Sequence, residues 1–310
     1  MYRSFYGLTK YPFEISPDPA FFCETSRHNE VLASLYHGVQ RRKGFVVVTG
    51  EVGTGKTLLA RCLFALLNRD QIAFSYVFNP LLGPTEFLQY ALGDLGLRSL
   101  NKSKAELLVD LNRFLISRYR QSSTAALIID EAHLLSCDVL EEIRLLTNLE
   151  TGNQKLLQIL LIGQPELERK IDSQELRQLK QRIALRCRLN PLSAAEARQY
   201  ILRRLSLAGA GEQANAIFPD ATLSLIHDFS GGIPRLINTI CENALISGCA
   251  TRSLAISPQL IEEVAHDLCL RPAKPAKVME LQQEPIALAL RKVFAASNRF
   301  DVEKEQEHKQ

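Results

Sequence analysis

With 310 residues, 46% of them hydrophobic, the chain has room for two packed domains of ordinary globular composition. A formal charge of +3 with no long polybasic run neither requires nor excludes nucleic acid, while seven scattered cysteines without a C-x-x-C pair exclude a disulfide framework and a zinc site. No run approaches the ~18 apolar residues that cross a bilayer and the N-terminus lacks an apolar signal region, so a soluble, cytoplasmic protein is expected.

Residues 1–26 carry Phe5, Tyr6, Tyr11, Pro12, Phe13, Pro17, Pro19, Phe21 and Phe22 with no clean period. Such a segment must pack on something. Two readings stand: an arm laid over the core, or one wall of a slot for a nucleotide base. Arg27 to Gln40 then reads as an amphipathic helix with Val31, Leu32, Leu35 and Val39 on one face. His28, near its start, is either structural or a ligand contact.

Phe45 to Thr49 is apolar and β-branched, as a strand buried on both faces should be. It runs into Gly50-Glu51-Val52-Gly53-Thr54-Gly55-Lys56-Thr57, which fits G-x-x-x-x-G-K-[ST] at every fixed position, and a helix opens at Leu58. The glycines let the backbone curl so that successive N–H groups point inward at a β-phosphate. Lys56 would reach the β- and γ-phosphates, Thr57 would place its hydroxyl on Mg²⁺, and the helix N-terminus adds its positive end. The stretch reads as a nucleoside triphosphate site.

Strand and helix patterns then alternate. Gln71 to Phe78 is a second strand, Pro84 opens a helix through Leu95, and Ser103 caps a helix to Tyr119 with Glu106 completing a capping box. Ala125 to Asp130 is a third strand, Ser136 caps a helix bearing Val139, Leu140, Ile143, Leu146 and Leu149, and Leu156–Ile162 and Ala184–Leu189 are the fourth and fifth strands. This alternation predicts a parallel sheet covered on both faces. From Pro191 only helices are read: from Ser193 to about Leu207, then near Ala221–Phe229, Pro234–Cys249 and Pro258–Cys269. After Arg271 come a proline-containing linker, a short amphipathic helix near Ile286–Ala296 and a charged, disordered end. The expected division is 1–43 (arm and first helix), 44–190 (nucleotide-binding α/β domain), 191–270 (helical lid) and 271–310 (linker and tail).

The third strand ends in Asp130-Glu131, two carboxylates leaving the C-terminal edge of the sheet, where phosphate chemistry sits in open α/β folds. Asp130 would hold Mg²⁺ and Glu131 would polarise an attacking water.

With the helical segment, these residues resemble the AAA+ ATPases, and more closely the ExeA/GspA family of secretion and pilus-assembly ATPases. The resemblance covers residues 1 to about 270 and rests on Tyr6-Gly7-Leu8, Pro12-Phe13, Pro17-Asp18-Pro19, GEVGTGKT, IIDEAH, LLQILLIGQPEL and Gly231-Gly232-Ile233-Pro234-Arg235-Leu236-Ile237-Asn238. It implies ATP as ligand, Mg²⁺ as cofactor, strand order 5-1-4-3-2 and a helical lid. It also implies three further site residues: Gln164 as the polar sensor after the fourth strand, Arg235 as the lid's sensor arginine, and an arginine finger for the neighbouring subunit. For the finger Arg182 is preferred over Arg177 and Arg186, although the basic cluster Arg177, Lys180, Arg182, Arg186 and Arg188 also reads as a solvated face.

An ATP-dependent ring, as a hexamer, follows from such a finger. Members of this family often continue into a membrane span and a peptidoglycan-binding domain. Neither is read in this sequence, so the resemblance implies a form acting through a membrane-bound secretion, pilus or polysaccharide-export partner. The alternative is an ATP-dependent, DNA-binding transposition-targeting protein, with the basic cluster and Arg41-Arg42-Lys43 facing phosphates.

Overall fold

In the computed structural model residues 2–14 and 25–272 are described. The linker, the helix near Ile286–Ala296 and the charged end expected from the sequence lie outside them, apart from Arg271 and Pro272.

Five strands form one parallel sheet: β1 (Phe45–Gly50), β2 (Ala73–Val77), β3 (Ala125–Ile129), β4 (Leu157–Gly163) and β5 (Leu185–Leu189). The spatial order is β2-β3-β4-β1-β5, which is the 5-1-4-3-2 order expected. β1, β3 and β4 are buried along their whole length because helices cover both faces. Side chains alternate between those faces. Phe45, Val47, Leu127, Ile129, Ile159 and Leu161 point to one face, where α3 (Pro84–Asp94), α4 (Lys104–Arg120) and α5 (Cys137–Leu146) pack. Val46, Val48, Ala126, Ile128, Leu160 and Ile162 point to the other, against α1 (Ser26–Gln40) and α2 (Lys56–Arg69). Burying one such valine or leucine contributes about 1.5–3 kcal/mol, so the sheet centre fixes the position of everything attached to its strand ends.

The helix-to-strand turns were not legible. The turns after α1, α2 and α4 use Arg42, Gln71 and Ser122, all with positive φ (52°, 53° and 56°) though none is glycine. Two arginines bond carbonyls in these turns: Arg42 Nη2 donates to Ser123 O at 2.7 Å and Arg118 Nη2 to Gln71 O at 2.6 Å. A short two-stranded ribbon, Glu150–Thr151 with Gln154–Lys155, also escaped the sequence reading.

A separate apolar cluster joins α6 (Ala194–Leu207), α7 (Asp220–Ser230), α8 (Pro234–Ala250) and α9 (Pro258–Asp267). The described N-terminal aromatics Tyr2, Phe5, Tyr6 and Phe13 pack here, and not over the sheet as an arm on the core would, while Pro17, Pro19, Phe21 and Phe22 lie outside the described residues. Tyr2, Tyr6, Leu8 and Phe13 are buried in this helical cluster. Tyr6 Oη donates to Ser253 O at 2.9 Å, Tyr2 Oη to the Glu242 carboxylate at 2.7 Å, and Thr9 N to Ala208 O at 2.7 Å. The reason is shape: the sheet's two faces are already filled by α1–α5, whereas α6–α9 leave an apolar face for the aromatics.

Between α7 and α8 the chain turns through Gly231 and Gly232 with φ of 56° and 74°. Gly232 O accepts from Leu192 N at 2.8 Å, and a Cβ on Gly232 would stand 2.0 Å from Leu192 O. Only glycine fits. Gly232→Ala is expected to destabilise the fold by roughly 2–4 kcal/mol, combining left-handed strain with a backbone clash; urea unfolding midpoints with unchanged m values are the check.

Candidate nucleotide-binding site

β1 delivers the glycine-rich loop to the C-terminal edge of the sheet, and α2 starts inside it. Gly53 and Gly55 take φ of 82° and 97°, which side chains rarely adopt, and a Cβ on Gly50 would meet Thr54 Oγ1 at 2.8 Å and Leu189 O at 2.9 Å. Lys56 is buried and its ammonium donates to Gly50 O at 2.8 Å and Glu51 O at 2.9 Å, so the side chain curls over its own loop. Burial pushes its pKa down, opposed by the carboxylates of Glu131, Asp130 and Glu51. Val52 is exposed at the loop tip.

Asp130, one residue past β3, is 3% exposed and carries three donors. Thr57 Oγ1 donates to its Oδ2 at 3.1 Å, Tyr76 Oη to the same oxygen at 3.0 Å, and the Glu131 amide to Oδ1 at 2.9 Å. Tyr76 was not identified from the sequence. Its signal is topological: β2 lies beside β3, with Val77 in register with Ile129, so a tyrosine near the end of β2 reaches the carboxylate after β3. Burial and then the Asp130 carboxylate push the Tyr76 phenol pKa up.

Glu131 has φ 49°, a left-handed conformation that costs a non-glycine residue of order 1–3 kcal/mol. The bend turns its carboxylate toward β4, where Gln164 Nε2 donates to Oε2 at 3.4 Å and His133 Nδ1 lies 3.4 Å from the same oxygen. Gln164 and Glu131 are thus brought together at the end of β4. His133, two residues after Glu131, was quoted in the motif but given no role.

The helical segment reaches the loop through backbone. Arg235 N, in the first turn of α8, donates to Gly53 O at 3.2 Å, and a Cβ on Gly53 would stand 2.7 Å from Arg235 Cβ. Arg235 therefore lines the same cavity as Gly53, Gly55, Lys56, Thr57 and Glu131. Of the described N-terminal residues, Glu14 alone lines it; the described aromatics do not. Tyr200 and the largely buried Arg204 line it too, and Arg204 donates to Pro12 O at 2.5 Å and to Tyr200 Oη at 2.6 Å.

His28 is structural. Its ring bonds Thr25 Oγ1 through Nδ1 (2.7 Å) and Thr54 O through Nε2 (3.1 Å), bracing the loop from beneath. Arg182, in contrast, stands at the β5 edge, exposed, donating to Asn148 Oδ1 at 3.1 Å. Three of its basic neighbours have acidic partners in the chain: Lys180 and Arg186 with Asp172 at 2.9 and 3.6 Å, Arg188 with Glu168 at 3.9 Å.

The residues present fit a metal–nucleotide complex. Thr57 and Asp130 offer hard oxygen donors side by side, which suits Mg²⁺. Among the described residues no group of three or more His, Cys, Asp or Glu could hold a metal alone, so phosphate oxygens would have to supply the remaining ligands.

A glycine-rich loop between β1 and α2, an Asp-Glu pair after β3 and a 5-1-4-3-2 parallel sheet together define a nucleotide-binding protein of the AAA class. In agreement, the AAA domain family matches residues 39–171. Over 254 residues, 82% of this chain, the sequence is 43% identical to general secretion pathway protein A of Aeromonas hydrophila, and it spans 46% of that relative's length. Among solved structures, the chain is similar to the Aeropyrum pernix ORC2 protein (TM-score 0.60, 15% identity, 86% of this chain and 73% of that one). It is also similar to Thermotoga maritima RuvB, a Holliday junction branch migration motor (TM-score 0.52, 17% identity, 84% and 74%). Over most of its length the chain is thus a relative of the GspA/ExeA-type AAA ATPases.

Burial pushes the His28 pKa below the ordinary value of about 6.5. The unfolded chain therefore takes up a proton near pH 6.5 that the native chain refuses until lower pH. The stability contributed by the neutral ring is complete above about pH 6.5 and declines as the pH falls toward the native value. Urea unfolding at pH 7.5 and 5.5 should show a larger acid loss for the wild type than for His28→Asn.

Proposed function

We propose that this chain binds ATP with Mg²⁺ and hydrolyses it, and that the cycle energises or assembles part of a secretion, pilus or polysaccharide-export system through a membrane-bound partner. The observation that carries the hydrolytic reading is the placement of Lys56, Thr57, Asp130, Glu131 and Gln164 on the loop and strand ends of one sheet edge, with Arg235 hydrogen-bonded to the loop. Phosphoryl transfer to water needs little covalent help; it needs positioning and charge stabilisation.

Gly50 to Thr57 would wrap the phosphates with backbone N–H groups, and the ammonium of Lys56 would exchange its two carbonyl partners for phosphate oxygens. Mg²⁺, held by Thr57 and Asp130, would offset phosphate charge. Glu131 would take a proton from the attacking water while Gln164 and His133 orient its carboxylate. Arg235 would close the helical lid of residues 191–270 against the 44–190 domain when phosphate is present.

The export reading is supported by the identity to the Aeromonas protein. Among the described residues no helix is long and apolar enough to cross a membrane, which is compatible with action at the inner membrane through a partner. Nucleic acid is the weaker reading. Lys180, Arg186 and Arg188 are paired within the chain, and Arg42 lies over the Tyr119 ring at 4.9 Å, so the basic residues that motivated it are partly engaged.

Arg182 remains the proposed finger for a neighbouring subunit in an ATP-dependent ring. Lys56→Ala should abolish ATP binding, whereas Glu131→Gln should bind ATP and lose at least about 100-fold in turnover. Light scattering of Glu131→Gln with Mg-ATP should give a discrete hexamer. Arg182→Ala should bind ATP normally yet lose turnover on the order of 10³-fold; full activity would exclude Arg182, and an open-ended series of sizes would favour a filament.

A further inference from the structure

Asp130 Oδ2 receives two hydroxyl protons, one from Thr57 and one from Tyr76. The first is part of the phosphate loop. The second comes from β2, at the edge of the sheet, and its ring is held by a close aromatic neighbour. Phe64 of α2 meets it edge-on with centroids 4.7 Å apart, and Phe78 lies tilted at 6.4 Å. Its backbone is held as well: Tyr76 N donates to the Asp94 carboxylate at 2.6 Å, and β2 pairs with β3 along its length. A tyrosine has only two side-chain torsions, and a ring clamped this way presents its hydroxyl at one place.

We propose that Tyr76 is a positioning residue for the metal–nucleotide complex, its hydroxyl holding the Asp130 carboxylate in the one orientation that serves the metal. The inference rests on the reading of Thr57 and Asp130 as the Mg²⁺ site. With the Glu131 amide on Oδ1 and two hydroxyls on Oδ2, the carboxylate cannot rotate without breaking three bonds. Thr57 Oγ1 would offer a lone pair to the metal while its proton stays on Oδ2, so its position answers to the metal as well, whereas Tyr76 is the donor on that oxygen tied to the protein alone. A hydrogen bond to a ligating carboxylate of this kind sets its direction and its basicity. Tyr76 does not line the cavity, so its effect passes through Asp130.

The test uses the full chain, Mn²⁺ as the metal and a non-hydrolysable ATP analogue. Tyr76→Phe keeps the ring packed against Phe64 and removes only the hydroxyl. Analogue binding in EDTA should stay within twofold of wild type, while Mn²⁺ affinity at saturating analogue, read by electron paramagnetic resonance, should weaken on the order of 10-fold. In turnover the half-saturating Mg²⁺ concentration should rise and excess Mg²⁺ should restore kcat. Phe78→Ala, which leaves the hydroxyl, should lower the melting temperature without shifting Mn²⁺ affinity.

Wild-type Mn²⁺ affinity in Tyr76→Phe would overturn the proposal and leave the site reading intact. An equal loss in Phe78→Ala would overturn it too, since the effect would then belong to packing. A wild-type protein that binds the analogue equally well with and without metal would overturn the metal site itself, and the role of Tyr76 with it. In an Asp130→Asn background the Tyr76→Phe change should have no further effect on Mn²⁺; an additive loss would show that Tyr76 acts by some other route.

Discussion

The carboxylate of Asp130 is a buried charge whose hydrogen bonds tie three parts of the chain to one point. It closes the end of β3, takes the Thr57 hydroxyl from the phosphate-loop helix, takes the Tyr76 hydroxyl from the edge strand, and fixes the amide of Glu131. A carboxylate withdrawn from water is tolerated only when it is well bonded, and these donors satisfy it. The same bonds set the spacing between phosphate loop and acidic strand. Everything the site can do depends on that spacing, since phosphoryl transfer is governed by where charges stand.

The second constraint is the contact between helical segment and loop. It is made by backbone, Arg235 N to Gly53 O, at a glycine too crowded for any side chain. Backbone contact makes the joint insensitive to side-chain rotamer and sensitive to where α8 begins. That start is set by Gly231, Gly232 and Pro234, whose restricted conformations aim the helix N-terminus at the cavity. Binding that moves the loop therefore has a direct mechanical path to the helical segment. The N-terminal aromatics ride with it, because Tyr2, Tyr6 and Phe13 are part of that apolar cluster, and Arg204 bonds Pro12 O beside the cavity.

The likeness to ORC2 and RuvB, at 15% and 17% identity, speaks for the fold alone. It shows how little of the sequence the architecture requires: a two-faced apolar sheet, a glycine loop and a carboxylate after β3. The 43% identity to the Aeromonas protein reaches well past that minimum, into the helical segment.

Much was legible from sequence for a definite physical reason. Strands buried on both faces read as continuous apolar runs, the phosphate loop is a local backbone demand met by glycines at fixed positions, and Ser103 and Ser193 mark helix starts with capping boxes. These are short-range constraints, written within a few residues of where they act. Tyr76 on Asp130, His133 and Gln164 on Glu131, and Arg235 on Gly53 join residues 33 to 182 positions apart or, for His133, depend on a left-handed bend at Glu131. The turns at Arg42, Gln71 and Ser122 were hidden because tertiary packing imposed positive φ where no glycine advertised it. The N-terminal aromatics announced only that they would be buried. Which surface they would fill was decided by the helices α1–α5, which had already covered both faces of the sheet and left the apolar face of α6–α9 as the place where those rings lose water.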